Sequence, residues 1–152
     1  MRLVSRIIVV SALFAGGLEA QTPIPLTQLL GNVPFVLKDS TAAGNGASLM
    51  FETPEGNELW ADCRSDSTVD QFIARPAATQ TDASVKNAYV GVIVANAFGQ
   101  DSKVSAWFAE ACKKRMDRSG LERKGDIQGW ILALAFQKGA VSRFIARMER
   151  EK

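Results

Sequence analysis

The longest apolar stretch after the N-terminal region spans residues 82–99. Its apolar residues recur at spacings of three and four, which predicts a helix with one apolar stripe. Asp82 is expected to cap the start of this helix, and Gly99 to close its end in a left-handed conformation. Gly91 in the interior predicts that another helix packs closely at that point. The stretch therefore predicts a buried central helix.

Similar spacing predicts further helices on both sides of the central one. Thr53 and Pro54 are typical of a helix start, which predicts a first short helix that runs to Cys63. Ser67 and Asp70, spaced as in a capping box, predict the start of a second short helix that Pro76 ends. Later helices are expected at residues 103–116, 126–138 and 141–148, and one helical turn at 26–30. No convincing run of alternating apolar and polar residues, as in a half-buried strand, is present. The fold class is therefore predicted to be all-α, a small bundle of about five helices tied by one disulfide. The predicted core contains Tyr89, Val92, Trp107, Phe108, Trp130, Leu132 and Phe144.

The first 20 residues have the pattern of a signal peptide. Arg2 and Arg6 are followed by an apolar run and then by small residues that end at Ala20. The apolar run is shorter than the roughly 20 residues that span a bilayer, so no membrane anchor is expected. Residues 21–48, rich in proline and then in small polar residues, predict an extended arm and linker before a helical domain at 49–152. We expect a periplasmic or secreted protein.

Cys63 and Cys112 are the only cysteines in the chain. In an oxidising compartment two cysteines most often pair, which predicts a Cys63–Cys112 disulfide. The alternative is two buried free thiols. The chain has no histidine, and two distant thiols do not have zinc-ligand spacing, so neither a metal site nor a cofactor is expected.

Charge is distributed unevenly along the chain. Residues 21–110 carry five Lys or Arg against ten Asp or Glu, and residues 111–152 carry eleven against five, which gives about −5 and +6. The two segments are expected to attract each other. A solvated basic face is a better interpretation of the C-terminal segment than a nucleic-acid site, because no aromatic residues interleave with the basic ones as single-strand binding requires.

Few residues offer catalytic chemistry. The absence of histidine excludes the usual Ser-His and Cys-His arrangements. Glu55, Glu58 and Asp62 cluster on the first predicted helix, and the last two lie four residues apart, as a general acid and base would. A solvated helix face is the commoner origin of such a cluster. No catalytic residue is therefore assigned, and the chain is not expected to be an enzyme.

Two motifs resemble a known family. GNELWADC at residues 56–63 and NAYVGVIVANA at 87–97 are similar to segments of the Rap/Tai family of small exported helical immunity proteins. Matching positions are Gly56, Asn57, Glu58, Leu59 and Cys63 in the first motif, and Tyr89, Gly91 and Val92 in the second. The resemblance implies a periplasmic protein, often dimeric, that occludes the active site of an amidase effector toxin delivered by type VI secretion.

A second resemblance leads to an alternative function. AEACKK at residues 109–114 looks like the region of the second cysteine in periplasmic acid-stress chaperones of the Hde type, which are also small and helical. The expected function is an exported, non-enzymatic binding protein, with effector immunity as the first choice, a chaperone as the second and a hydrolase as the third. The partner-binding surface is not identified by the sequence.

Overall fold

A computed structural model of the chain describes residues 22–99 and 101–149, without the side chain of Asp126. The predicted signal peptide lies outside these residues. The strands and helices follow one another in the order β1 Ile24–Pro25, α1 Leu26–Leu30, β2 Val36–Ala43, β3 Gly46–Glu52, β4 Glu58–Cys63, β5 Thr68–Arg75, α2 Ala83–Phe98, α3 Ser102–Lys114, β6 Gly120–Ile127, β7 Trp130–Gln137 and β8 Ala140–Met148.

The strands form one antiparallel sheet. Its order is β2-β3-β4-β5-β8-β7-β6, and the short β1 pairs with β5. The prediction of an all-α bundle is therefore wrong. Strands β4, β5, β7 and β8 occupy segments that were predicted to be helices, and β2 and the first residues of β3 lie within the segment predicted as arm and linker. Each of these four strands predicted as helices has hydrogen-bonded neighbours on both sides, and this pairing between distant residues outweighs local helix propensity.

Two tight turns join the last three strands. The turn between β6 and β7 places Gln128 and Gly129 at positive φ, and the turn between β7 and β8 does the same with Lys138 and Gly139. Two positive φ angles in a two-residue loop define the type I′ turn, whose twist matches that of paired strands. Gly139, which was interpreted as the break between two predicted helices, and Gly129, which was placed inside one of them, lie in hairpin turns instead.

One face of the sheet, here called the inner face, packs against α2. Phe98 of α2 contacts the rings of Phe72 and Trp130. Phe72 also contacts the rings of Trp130 and Phe144, and the centroids of all these pairs are 5.6–6.5 Å apart. Of the predicted core residues, Tyr89, Trp130, Leu132 and Phe144 are buried, as predicted. Trp107 and Phe108 are half-buried and Val92 is exposed, so the core prediction is only partly correct.

The two long helices and the first helical turn are confirmed. Asp82 and Asp101 cap α2 and α3 by accepting hydrogen bonds from the N–H groups of Ser84 and Lys103. A Cβ atom at Gly91 would lie 3.3 Å from the ring of Phe108, so the close packing of a second helix is also confirmed. Gly99, by contrast, has a right-handed φ of −56°, and the predicted left-handed closure is wrong.

The opposite face, here called the outer face, is not covered by any helix that the structure describes. Strand register places three rows of side chains on it. The middle row runs across all seven strands and is apolar between its charged ends. It consists of Asp39, Met50, Trp60, Ile73, Ile145, Ala133 and Arg123. The sheet therefore has one buried face and one exposed face.

Candidate functional site

A groove lies on the helical side of the molecule, between α2, the loop before β2 and the turn between β3 and β4. Its volume is about 570 Å³. Apolar side chains of α2 form one side of the groove, and polar side chains stand around its rim. The lining residues are Asn32, Val33, Pro34, Glu55, Asn57, Ala77, Gln80, Val85, Ala88, Tyr89, Val92 and Asn96.

The apolar side of the groove arises because α2 is apolar on two sides. Val90, Ile93 and Val94 face the core and are buried. Val85 and Val92, seven residues apart and therefore on one side of the helix, are each 46% exposed and face the groove. Part of the apolar surface of this helix is thus not used by the core and remains available for a ligand.

Hydrogen bonds hold the walls of the groove in place. The hydroxyl of Tyr89 donates to the backbone carbonyl of Glu58 over 2.6 Å. The side-chain oxygen of Asn57 accepts from the N–H of Ala77 over 2.9 Å, and its own N–H donates to the buried hydroxyl of Thr53 over 3.1 Å. Since helix, turn and loop are joined by these bonds, the groove is formed before any ligand enters it.

Glu55 supplies the only carboxylate in the lining. Within the described part of the chain its carboxylate has no ion pair or side-chain hydrogen bond, and no Lys or Arg lines the groove. An apolar floor beside one unpaired negative charge favours a ligand that combines an apolar group with a cation.

Tyr89 does not supply acid–base chemistry to the groove. Burial, and to a lesser degree the negative charge of Glu58, raises the pKa of the Tyr89 phenol far above its ordinary value. The phenol therefore stays protonated throughout the physiological range and serves as a hydrogen-bond donor. The groove brings together no nucleophile and base among the residues described.

The three acidic residues that were predicted to cluster are separated. Glu55 lines the groove, whereas Glu58 and Asp62 lie on the outer face of β4, on either side of Trp60. At about 3.4 Å per strand residue, Cα atoms four positions apart are about 14 Å apart, too far for one proton to be shared. Glu58 accepts a 2.9 Å hydrogen bond from Trp60 Nε1, and Asp62 accepts a 2.7 Å bond from the Ser48 hydroxyl.

The predicted Cys63–Cys112 disulfide is wrong, because both thiols are free. Cys63 ends β4 and Cys112 lies near the end of α3, and these two elements make few contacts with each other. Burial raises the pKa of both thiols, and the charges of Asp62 and Asp70 raise that of Cys63 further. Neither thiol is therefore activated as a nucleophile.

A second cleft of about 430 Å³ lies where the end of α2 meets β1 and the β6–β7 turn. Several of its polar side chains already have partners. Gln28 donates to the carbonyls of Asn96 and Ala97, and Trp130 Nε1 donates to the carbonyl of Thr22 over 2.9 Å. These bonds tie the first described residues to the core, so the cleft has a structural role.

Comparison with known proteins adds no relative, since no family model, curated protein or solved structure matches the chain. The first motif of the Rap/Tai resemblance, residues 56–63, forms a turn and strand β4 in place of a helix start. In residues 22–99 and 101–149 no three His, Cys, Asp or Glu side chains are grouped to hold a metal ion. No helix in these ranges is both long and apolar enough to cross a membrane.

Proposed function

We propose that this chain is an exported, non-enzymatic binding protein whose groove receives an apolar segment with a cationic group from a protein partner. The observation that carries the proposal is the exposure of Val85 and Val92 along a groove with preformed walls. Ligand sites in proteins are commonly concave, largely apolar and furnished with a few fixed polar groups, with volumes of about 300–1,000 Å³.

The negative charge of Glu55 in the groove supports a ligand that carries a cationic group. A Lys or Arg side chain next to Glu55 would form an ion pair at the rim, while apolar groups of the same segment cover Val85 and Val92. Such an arrangement places the charge in water and the apolar contact at the centre, as in most protein interfaces.

Effector immunity is a specific form of this proposal, in which the partner is an amidase toxin that the chain occludes. The helical architecture implied by the Rap/Tai and Hde resemblances differs from that of this chain. The immunity role therefore depends on the groove and on the predicted export of the chain.

Selection from a displayed peptide library on the immobilised mature chain tests the proposal. The enriched peptides should combine apolar residues with Lys or Arg, and fluorescence anisotropy should show saturable binding. Val92→Asp should weaken that binding about tenfold or more, because the new carboxylate would be buried without a partner. Glu55→Gln should weaken it by a smaller factor that shrinks as salt is added.

Met116→Asp is the matched control. Met116 is 67% exposed and lies outside the groove, so this variant should bind the peptides as the parent does. The proposal is overturned if no peptide binds saturably, or if Val92→Asp and Met116→Asp have equal effects. Cleavage of peptidoglycan fragments by the purified chain would contradict its non-enzymatic part.

A further inference from the structure

The outer face of the sheet separates its charges by strand. The register places acidic side chains on β2, β3 and β4, here called the acidic half: Asp39, Glu52, Glu58 and Asp62. It places basic side chains on β5, β8 and β6, here called the arginine half: Arg75, Arg143, Arg147 and Arg123. Lys38 and Asp70 lie at register irregularities of β2 and β5, so the strand pairing assigns neither of them to a row of this face.

An apolar band joins the two halves. Trp60, 39% exposed, stands on β4 near the centre of the sheet, with Met50 on one side and Ile73 and Ile145 on the other. Apolar side chains on a sheet face that no helix covers indicate an interaction surface. Tryptophan is also among the residues that contribute most to the binding energy of protein interfaces.

From this pattern we infer that the outer face pairs with the outer face of a second copy of the chain, around a two-fold axis parallel to the strands and close to β5. Rotation about such an axis places β4 opposite β8, and β2 opposite β6. Glu58 of one copy then lies opposite Arg143 of the other, Asp62 opposite Arg147, and Asp39 opposite Arg123. A two-fold axis that lies in the plane of the sheet and is perpendicular to the strands would instead place the acidic half opposite the acidic half of the second copy, and the arginine half opposite the arginine half.

The apolar band fits the same axis. Ile73 on β5 meets Ile73 of the second copy, and Trp60 lies over Ile145. Arg75 comes close to the Arg75 of the second copy, but Glu58 of its own chain lies 4.0 Å away and offsets its charge. In a closed two-fold pair every contact away from the axis occurs twice, so each complementary charge pair is formed twice.

The size of the face is adequate for a specific dimer. Seven strands at about 4.8 Å spacing give a width of roughly 30 Å, and three rows about 7 Å apart give a height of roughly 20 Å. Two such faces cover roughly 1,200 Å² before the relief of the side chains is added, which reaches the range of specific interfaces, about 1,200–2,000 Å².

Sedimentation velocity of the chain from Gln21 to Lys152 tests the inference, with the mass of a dimer as the expected result. Asp62→Arg places Arg opposite Arg147, and Arg147→Glu places Glu opposite Asp62, so each change alone should weaken the dimer about tenfold or more. The double variant Asp62→Arg/Arg147→Glu exchanges the two signs and should restore it. Circular dichroism confirms that each variant is folded.

Cross-linking tests the axis itself. In a Cys63→Ser/Cys112→Ser background, Ile73→Cys should form an oxidised dimer because this position meets itself, whereas Leu121→Cys at the edge of the face should not. The inference is overturned by a monomer or a larger oligomer, by a charge exchange that restores nothing, or by equal cross-linking at both positions.

This inference does not rest on the proposed function. Val92→Asp, which alters the groove on the other side of the molecule, should leave the mass of the dimer unchanged. Asp62→Arg should in turn leave peptide binding unchanged. Failure of one proposal is therefore distinguished from failure of the other.

Discussion

The two faces of the sheet contain similar side chains in different surroundings. On β8, Phe144 is fully buried against the aromatic rings of the inner face, while the adjacent Ile145 is half-buried on the outer face. On β7 every second residue from Trp130 to Phe136 is buried, yet the residues between them, Ile131, Ala133 and Ala135, are also apolar. Apolar composition alone therefore does not tell which face forms the core.

What separates the faces is the arrangement of charge. The inner face carries the ion pair of Glu122 with Arg115 at its edge, whereas the outer face carries acidic side chains on β2, β3 and β4 and arginines on β5, β8 and β6. In an antiparallel sheet with one solvated face, apolar residues on the buried face usually alternate with polar residues on the solvated face along each strand. Strand β7 departs from this rule on the outer face, as expected of a surface that a second molecule covers.

The largest difference between the faces is expected in the loss of stability when two neighbouring residues of β8, one on each face, are truncated to alanine. Phe144→Ala should lower the free energy of unfolding by about 3–5 kcal/mol, because it leaves a cavity among packed rings. Ile145→Ala should cost less than half as much at protein concentrations where the chain is monomeric. Urea unfolding measures both, and equal losses would show that the faces have been assigned wrongly.

Acid unfolding should show a smaller effect, which arises from the ion pair of Glu122 at the edge of the inner face. Burial of the Glu122 carboxyl opposes its ionisation, but the hydrogen bond and charges of Arg115 and Lys114 outweigh burial and hold the pKa of Glu122 below its ordinary value. This contribution to stability is present above the pKa of an unfolded glutamate, about 4.3, and is lost as the pH falls through the lowered folded value.

Glu122→Gln should therefore make the chain less stable near neutral pH and its stability less dependent on pH below about 4. The measurement is a series of urea midpoints between neutral and acidic pH for the parent and the variant. Arg115→Gln removes the same ion pair from the other side and should give a similar profile. Parallel curves for parent and variant would refute this assignment.

Helices α2 and α3 were predicted correctly because their signals are local. Asp82 and Asp101 each cap the helix that follows, and the apolar spacing lies within one segment. Strand β4 was predicted to be helical because Leu59, Trp60 and Cys63 also fit a spacing of three and four. The alternation of Glu58, Trp60 and Asp62 with Leu59 and Ala61 was the correct signal, but it is only five residues long.

Strand β7 was ambiguous for a different reason. An apolar run of seven residues fits a buried helix or a buried strand, and periodicity does not decide between them. The two-residue turns at Gln128–Gly129 and Lys138–Gly139, with an apolar run between them, contained the deciding information. The groove was missed because Val85 and Val92 belong to a stripe that looks like a core until the sheet is known to cover the other side of α2.

The smallest expected effect is that of a reductant on stability. It tests whether the sheet and α3 are held together by packing alone, without a disulfide. A disulfide that closes a loop of about 50 residues would contribute about 4 kcal/mol, whereas free thiols contribute no such term. Addition of reductant should therefore leave the urea midpoint unchanged.

In denaturant without reductant, treatment with an alkylating reagent followed by mass spectrometry should show an alkyl group on both Cys63 and Cys112. In the folded chain at pH 8 the labelling should be slow, because burial raises the pKa of both thiols. If the two cysteines stay unlabelled in denaturant and react only after reduction, the chain contains the disulfide, and the structure at β4 and α3 is contradicted.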